Sequence, residues 1–309
     1  MELAIRIPDP SLLAAQEAFL TSRKARHLGF PVPPSQPERN AWTVLLHQLE
    51  RALPAATVSR VYLGSEFCPF LLASPEQMER AARLAVGAGF AVSVVLPVLH
   101  EKHLARAQAV VEAAAGQCPD AEVVANDLGS LALFSRAGLN TVAGRLLFRM
   151  KRLPRFSEAT LPAPLPLEVE ADPHDIRAAQ LRELSEFMVD SPRVTALLER
   201  LSVSRFDTEM LPQGMRFGSR GSVACSLHMP MSYVTGGGEC PVARLSTSRG
   251  VTRCGRACRR TVIEPRYGEP TWRIQQYGHT VFTFMTPLLD HYLGLTRFDR
   301  YVLTCGLPM

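Results

Sequence analysis

The chain has 309 residues, of which 47% are hydrophobic and 20% charged, proportions that exclude wholesale disorder and leave room for one large α/β domain or two modest ones. Its formal charge of +5 is mild over the whole chain. Met1 to Pro8 carries an acid at Glu2 and no basic region followed by an apolar run, no apolar stretch reaches membrane-spanning length, and the seven cysteines form an odd set, so a secretory signal, a transmembrane segment and a disulfide framework are not expected and reduced thiols in a cytoplasmic setting are.

In chain order, Val58 to Leu63 is a β-branched and aromatic run suited to a strand. Ser74-Pro75-Glu76-Gln77 then opens a helix with a cap, a first-turn proline and a capping-box glutamine, and Gly87 and Gly89 end it. Phe90 to Leu96 reads as a buried strand, His100 to Ala115 as a helix, Ala121 to Ala125 as a strand, Leu128 to Ala137 as a helix and Asn140 to Ala143 as a strand. This βαβαβαβ order demands right-handed crossovers and a parallel sheet. Leu153 to Pro173 holds five prolines and predicts a stiff internal connector. Beyond it, Asp175 to Met188 and Arg193 to Leu201 read as helical, Arg205 to Leu211 as strand-like, and Pro287 to Leu293 as a helix, with an irregular cysteine-rich segment between. An open doubly wound sheet and a closed barrel both fit, and the length favours a TIM-barrel-like (β/α) parallel barrel.

Four cysteines stand out: Cys68 follows a predicted strand, while Cys240, Cys254 and Cys258 crowd a basic segment. Between Cys240 and Glu264 fall Arg244, Arg249, Arg253, Arg256, Arg259 and Arg260 without an acid. Such a segment suits an anion, which a thiolate-ligated 4Fe-4S cube is; phosphate of a substrate or RNA and a solvated face are the alternatives. Cys254 and Cys258 lie one helical turn apart if that stretch is helical. Gly236-Gly237-Gly238 either brings backbone N–H groups close to a cluster or forms a loop tip. The spacing leaves iron-sulfur, zinc and ordinary thiols open, although zinc sites more often pair their cysteines closely. Cys118, Cys225 and Cys305 read as packing residues. A Gly-x-Ser-x-Gly elbow and a His-Glu-x-x-His helix are both missing, and His100-Glu101-Lys102-His103 has the wrong spacing for a protease zinc site, so its histidines read as a solvated face. Phosphate-loop and dinucleotide fingerprints are also missing.

The segments Val61-Tyr62-Leu63-Gly64-Ser65-Glu66-Phe67-Cys68, Ala125-Asn126-Asp127-Leu128-Gly129 and Ala143-Gly144-Arg145-Leu146-Leu147, with the late Cys240, Cys254 and Cys258, resemble the U32 family, once labelled peptidase. The nearest likeness is to its V-type branch in oxygen-independent ubiquinone biosynthesis, and it spans most of the chain as a single domain. The resemblance implies a barrel-like α/β fold and a 4Fe-4S cluster on Cys68, Cys240, Cys254 and Cys258. It also implies a heterodimeric partnership with a second U32 protein of the U-type branch, in anaerobic hydroxylation of an aromatic quinone precursor. RNA base hydroxylation is the family's second function, and catalytic residues are not assigned. Asn126 and Asp127 match the family's Asn-Asp-x-Gly turn, and their residue chemistry is that of a helix cap. Where the branch has Ala-Arg-Cys at the second ligand this chain has Gly238-Glu239-Cys240, and about a dozen extra residues separate Gly214 from Pro230, departures that bear on the substrate.

Overall fold

A computed structural model describes residues 1–29, 35–148, 179, 182–218, 223–237, 240–246, 254–259, 261–264 and 274–304. The proline-rich connector at 153–173 lies outside the described residues. The strands are β1 (Glu2–Ile7), β2 (Val58–Leu63), β3 (Ala91–Val95), β4 (Glu122–Ala125), β5 (Asn140–Ala143), β6 (Arg205–Glu209), β7 (Ala224–Met229), β8 (Met231–Gly236), β9 (Val262–Ile263), β10 (Ile274–Tyr277), β11 (Thr280–Phe284) and β12 (Arg300–Thr304). Eight of them, in the order β1-β12-β7-β6-β5-β4-β3-β2, close into a parallel barrel. The helices are α1 (Glu17–Ser22), α2 (Gln36–Ala52), α3 (Pro75–Gly87), α4 (Glu101–Ala115), α5 (Leu128–Arg136), α6 (Pro192–Arg200), α7 (Pro241–Ser246) and α8 (Leu289–Leu293). No described helix is long and apolar enough to cross a membrane.

The barrel is the expected architecture, and its closure rests on β1, which pairs with β12 on one side and β2 on the other. β1 falls outside the predicted elements because its alternating Glu2 and Arg6 break the apolar run. In a closed barrel one side-chain parity faces the helices and the other the lumen. Leu3, Ile5 and Ile7 join the large apolar layer with Val61, Leu63, Val92, Val94 and the inner faces of the helices. Ala4, Tyr62, Val95, Val124, Val142 and Val302 form a separate small cluster, one tier of the lumen.

Around that tier the lumen is charged. Arg300 on β12 donates two hydrogen bonds to Glu122 on β4, at 2.7 and 2.9 Å, and these strands stand four places apart in the ring of eight, so the pair spans the interior. Arg60 bonds Glu2 at 2.8 Å, and Ser93 bonds Glu122 at 2.8 Å. The Tyr62 hydroxyl receives a bond from Arg300 at 2.8 Å and reaches Asp207, also across the barrel, at 3.3 Å. Asp207 in turn pairs with His228 at 3.2 Å. Buried charges persist when they are paired and hydrogen-bonded, as Glu2, Arg60, Glu122 and Arg300 are.

Local rules account for the outer elements. Ser74 and Gln77 form the predicted capping box of α3, and Asp127 caps α5 by accepting from the Ser130 N–H at 2.7 Å. The cysteine-arginine segment expected to be irregular holds the short helix α7 and the two-residue strand β9; ahead of it, β7 runs through Pro230 into β8, which starts an antiparallel sheet of order β8-β11-β10-β9. Because β8 continues the C-terminal end of β7, this sheet rises over the barrel mouth where active sites of such barrels are built.

Glu2 and Glu122 titrate below the ordinary carboxylate value: burial opposes this, but Arg300 and Arg60 outweigh it. Their contribution to stability is therefore complete above the unfolded-state value and lost as pH falls through the lower folded values. Urea denaturation from pH 7 to pH 3 should show a falling midpoint below about pH 4.5, and Glu122→Gln, which leaves half of the bidentate pair, should cost about 3 kcal/mol at pH 7 and flatten that acid limb.

Candidate cysteine site at the barrel mouth

Four chain segments build the mouth. After β2 the backbone turns at Gly64, whose φ of 124° and close approach to Val95, where a Cβ would stand 2.5 Å from the carbonyl oxygen, admit glycine and little else. That turn sends Ser65 and Glu66 inward, both fully buried, and delivers Cys68 as the residue preceding the tight turn Pro69–Leu71. After β4, the Asn126 amide donates to the Leu96 carbonyl at 2.8 Å and accepts from the Leu146 N–H at 3.1 Å. Its oxygen occupies the space in which a Cβ on Gly144 would lie, 2.3 Å away. Asp127 is thus the cap that its residue type implies, while Asn126 fixes the 144–147 turn and so aims Arg145 into the barrel.

Arg145 is completely buried and gathers these segments. It donates to both oxygens of Glu66 at 2.9 and 2.7 Å, to Glu209 at the end of β6 at 3.1 Å and to the Met231 carbonyl of β8 at 3.3 Å. Glu209 also accepts from the Tyr233 N–H at 2.5 Å. Arg6 lies 3.6 Å from Glu66. These contacts hold the Glu66 carboxyl down at about 2 against the opposing effect of burial. Phe67 lies between this cluster and the surface: the Arg145 and Arg6 guanidinium groups sit 5.1 and 5.4 Å from its ring centroid, and its ring stacks on Tyr233 at 5.5 Å.

Above Phe67 lies a cavity of about 390 Å³ whose lining includes Cys68, Cys240, Cys254 and Cys258. The structure therefore brings to one space a thiol from the loop after β2 and three from the segment between β8 and β9. Cys118 and Cys225 are elsewhere: the former packs against the main core and the latter is buried in it, while Cys305 lies outside the described residues. Burial pushes the Cys68 thiol up to about 11 and the Cys258 thiol up to about 12, and neighbouring cysteines add to both shifts. Such thiols are neutral at pH 7 and give up their protons to a cation. Backbone hydrogen bonds from the turn at Phe70 and Leu71 favour the Cys68 thiolate, and the Ala243 N–H lies 3.4 Å from the Cys240 sulfur. Among the described residues no three His, Cys, Asp or Glu side chains are grouped for a single metal ion. One zinc ion needs its sulfurs at about 2.3 Å from a common centre, whereas a cube takes its thiolates at outward-facing corners and sets them further apart.

Several expectations change in detail. Cys254 and Cys258 do not share an α-helical turn: Arg256 between them has φ 55°, and only Ala257–Arg259 forms a 3-10 turn. Both residues line the cavity nonetheless. Gly236 and Gly237 line it, and a Cβ on Gly236 would lie 2.8 Å from the Tyr233 hydroxyl; Gly238 and Glu239 lie outside the described residues. Arg259 is bound to Asp9 at 2.9 Å, so this part of the basic run is engaged within the chain, and Arg249, Arg253 and Arg260 lie outside the described residues. His100 is exposed, as expected of a solvated face, while His103 is half-buried and packs edge-on against Phe70 at 5.6 Å. Glu66, Arg145, Glu209 and His279 are the site-building residues that sequence reasoning did not single out. An ionic residue at or within three residues of a strand's C-terminal end was the available signal for the first three.

No protein-family model matches this chain, and no curated protein matches it.

Arg145→Met should destabilise the protein by about 3–5 kcal/mol at pH 7, because two carboxylates lose the guanidinium that neutralises them in the interior. Without it burial is left to raise the Glu66 carboxyl, so the loss should shrink as pH is lowered toward 5; thermal unfolding of wild type and variant across that range provides the measurement.

Proposed function

We propose that Cys68, Cys240, Cys254 and Cys258 hold a 4Fe-4S cluster and that the protein is a subunit of an oxygen-independent hydroxylation system for ubiquinone biosynthesis, working with a second U32 protein of the U-type branch on an aromatic quinone precursor. The observation that carries this reading is the convergence on one cavity of four cysteines drawn from positions 68 to 258, while Cys118 and Cys225 take no part in its lining. The motif segments support it as well, since each has a structural role at the same mouth. Gly64 makes the turn that delivers Cys68, Asn126 holds the turn that aims Arg145, and Arg145 joins the two cysteine-bearing parts.

When bound, such a cluster supplies one-electron chemistry or a coordination point for an oxygen donor. The chain's own contributions are more specific. The Cys68 and Cys258 thiols, which burial keeps protonated, give up their protons on loading, so uptake is favoured by rising pH. Phe67, Tyr233 and Leu146 surround the sulfurs with apolar surface and limit water. Arg6, Arg145, Glu66 and Glu209 balance their charges beneath Phe67, holding the floor of the cavity without adding a net charge to it.

Anaerobic purification followed by iron and sulfide analysis and visible absorption tests the reading. The wild-type chain should be coloured and carry iron and acid-labile sulfide in equal amounts. Alanine at Cys68, Cys240, Cys254 or Cys258 should remove most of both, whereas Cys118→Ser and Cys225→Ser should retain them. A colourless wild type with stoichiometric zinc would end the proposal.

A further inference from the structure

The cavity lining contains, besides the thiols, a second set of groups that ligation of a cluster does not use. Lys102 and His100, at the start of α4, both line it, as does His279. The Lys102 ammonium rests over the Phe70 ring, 5.5 Å from the centroid, and Phe70 shares the lining with Tyr233. Among the described residues no Asp or Glu lines the cavity, and no carboxylate lies within ion-pair distance of Lys102. The position of α4 is itself fixed, since Arg106 one turn further on donates to the Leu72 carbonyl at 2.6 Å and the Ala73 carbonyl at 3.3 Å. The basic rim is thereby tied to the segment that follows Cys68.

An aromatic wall with a lysine and two histidines, and no acid among the described residues, is complementary to a planar ring bearing a negative charge. A volume of about 390 Å³ is that of a small-molecule site, within the usual range of about 300–1,000 Å³. A polynucleotide would need something else, a basic groove that follows successive phosphates, and Arg259, which directly follows the lining residue Cys258, is held by Asp9.

We infer that the cavity binds a small aromatic acid beside the cysteines, its carboxylate recognised by Lys102 and His100 and its ring by Phe70 and Tyr233. As the identity of the hydroxylation acceptor this rests on the function proposed above; as a binding site it does not.

Isothermal titration of 4-hydroxybenzoate into the anaerobically purified full chain tests it, with 4-hydroxybenzyl alcohol as the uncharged isostere and Lys102→Met as the variant. Lys102 is exposed, so its replacement leaves the fold intact. One saturable site is expected for the acid, with affinity at least about ten-fold lower for the alcohol and for the variant. Equal affinity for acid and alcohol, an unaffected variant, or no saturable binding to iron-loaded protein would overturn the inference. So would tighter, steeply salt-dependent and Lys102-dependent binding of a single-stranded RNA oligonucleotide, which would mark a polynucleotide site instead. Metal analysis of the same samples separates the two proposals. Lys102-dependent binding by protein that never contains iron would support the acid site and sink the cluster, whereas iron-loaded protein that ignores the acid would sink this inference alone.

Discussion

The buried guanidinium of Arg145 joins segments that lie more than sixty residues away on either side of it in sequence. Glu66 leads to Cys68, Glu209 closes β6 and binds the Tyr233 backbone, and the Met231 carbonyl belongs to the strand that starts the cysteine-bearing sheet. An apolar contact at the same place would tolerate sliding by an ångström or more, whereas a bidentate guanidinium–carboxylate pair fixes both distance and plane. The relative placement of Cys68 and the three late cysteines thus depends on a directional interaction placed beneath them. The cavity above inherits its shape from that interaction through Phe67, which is held by cations from below and stacked on Tyr233 from the side.

The same principle extends down the barrel. Barrels of this kind commonly fill their lumen with branched aliphatic side chains, but here an aliphatic tier carries Tyr62, Asp207 and His228 and is followed by the Glu2, Arg60, Glu122 and Arg300 cluster at the opposite end. Ionic lumens are costly to desolvate, and their advantage is specificity of register. A shift by one residue in β1, β2, β4, β6 or β12 would place a charge against the helices and leave its lumen partner unpaired. The short strands β4 and β5, four residues each, have little ladder hydrogen bonding with which to define their own register, and Glu122 supplies part of what they lack.

Placing the cysteine sheet as an extension of β7, rather than as an appended module, has a functional corollary. The sheet's aromatic residues Tyr233, Tyr277 and Phe282 pack in one cluster with Phe67, the floor of the cavity. The thiols and the basic rim on α4 therefore belong to two walls that are both anchored to the barrel, one through Arg145 and the other through Arg106.

By itself the sequence determined the local elements and the list of candidate sulfurs. Val58 to Leu63, Asn140 to Ala143 and the Ser74 capping box were legible because propensity, apolar run length and capping chemistry act over a few residues. The Ser35–Glu38 capping box of α2 carried the same kind of signal without being read. β1 was obscured, since its charges look like solvent-facing residues until the barrel closes around them and turns that parity inward. The tertiary structure alone decided that Glu122 meets Arg300, that Glu66 meets Arg145, that Lys102 shares a cavity with Cys240, and that Cys68 arrives beside Cys258. Each of these is a meeting of residues distant along the chain, set by strand order and loop direction, and no local pattern encodes which strand lies opposite which.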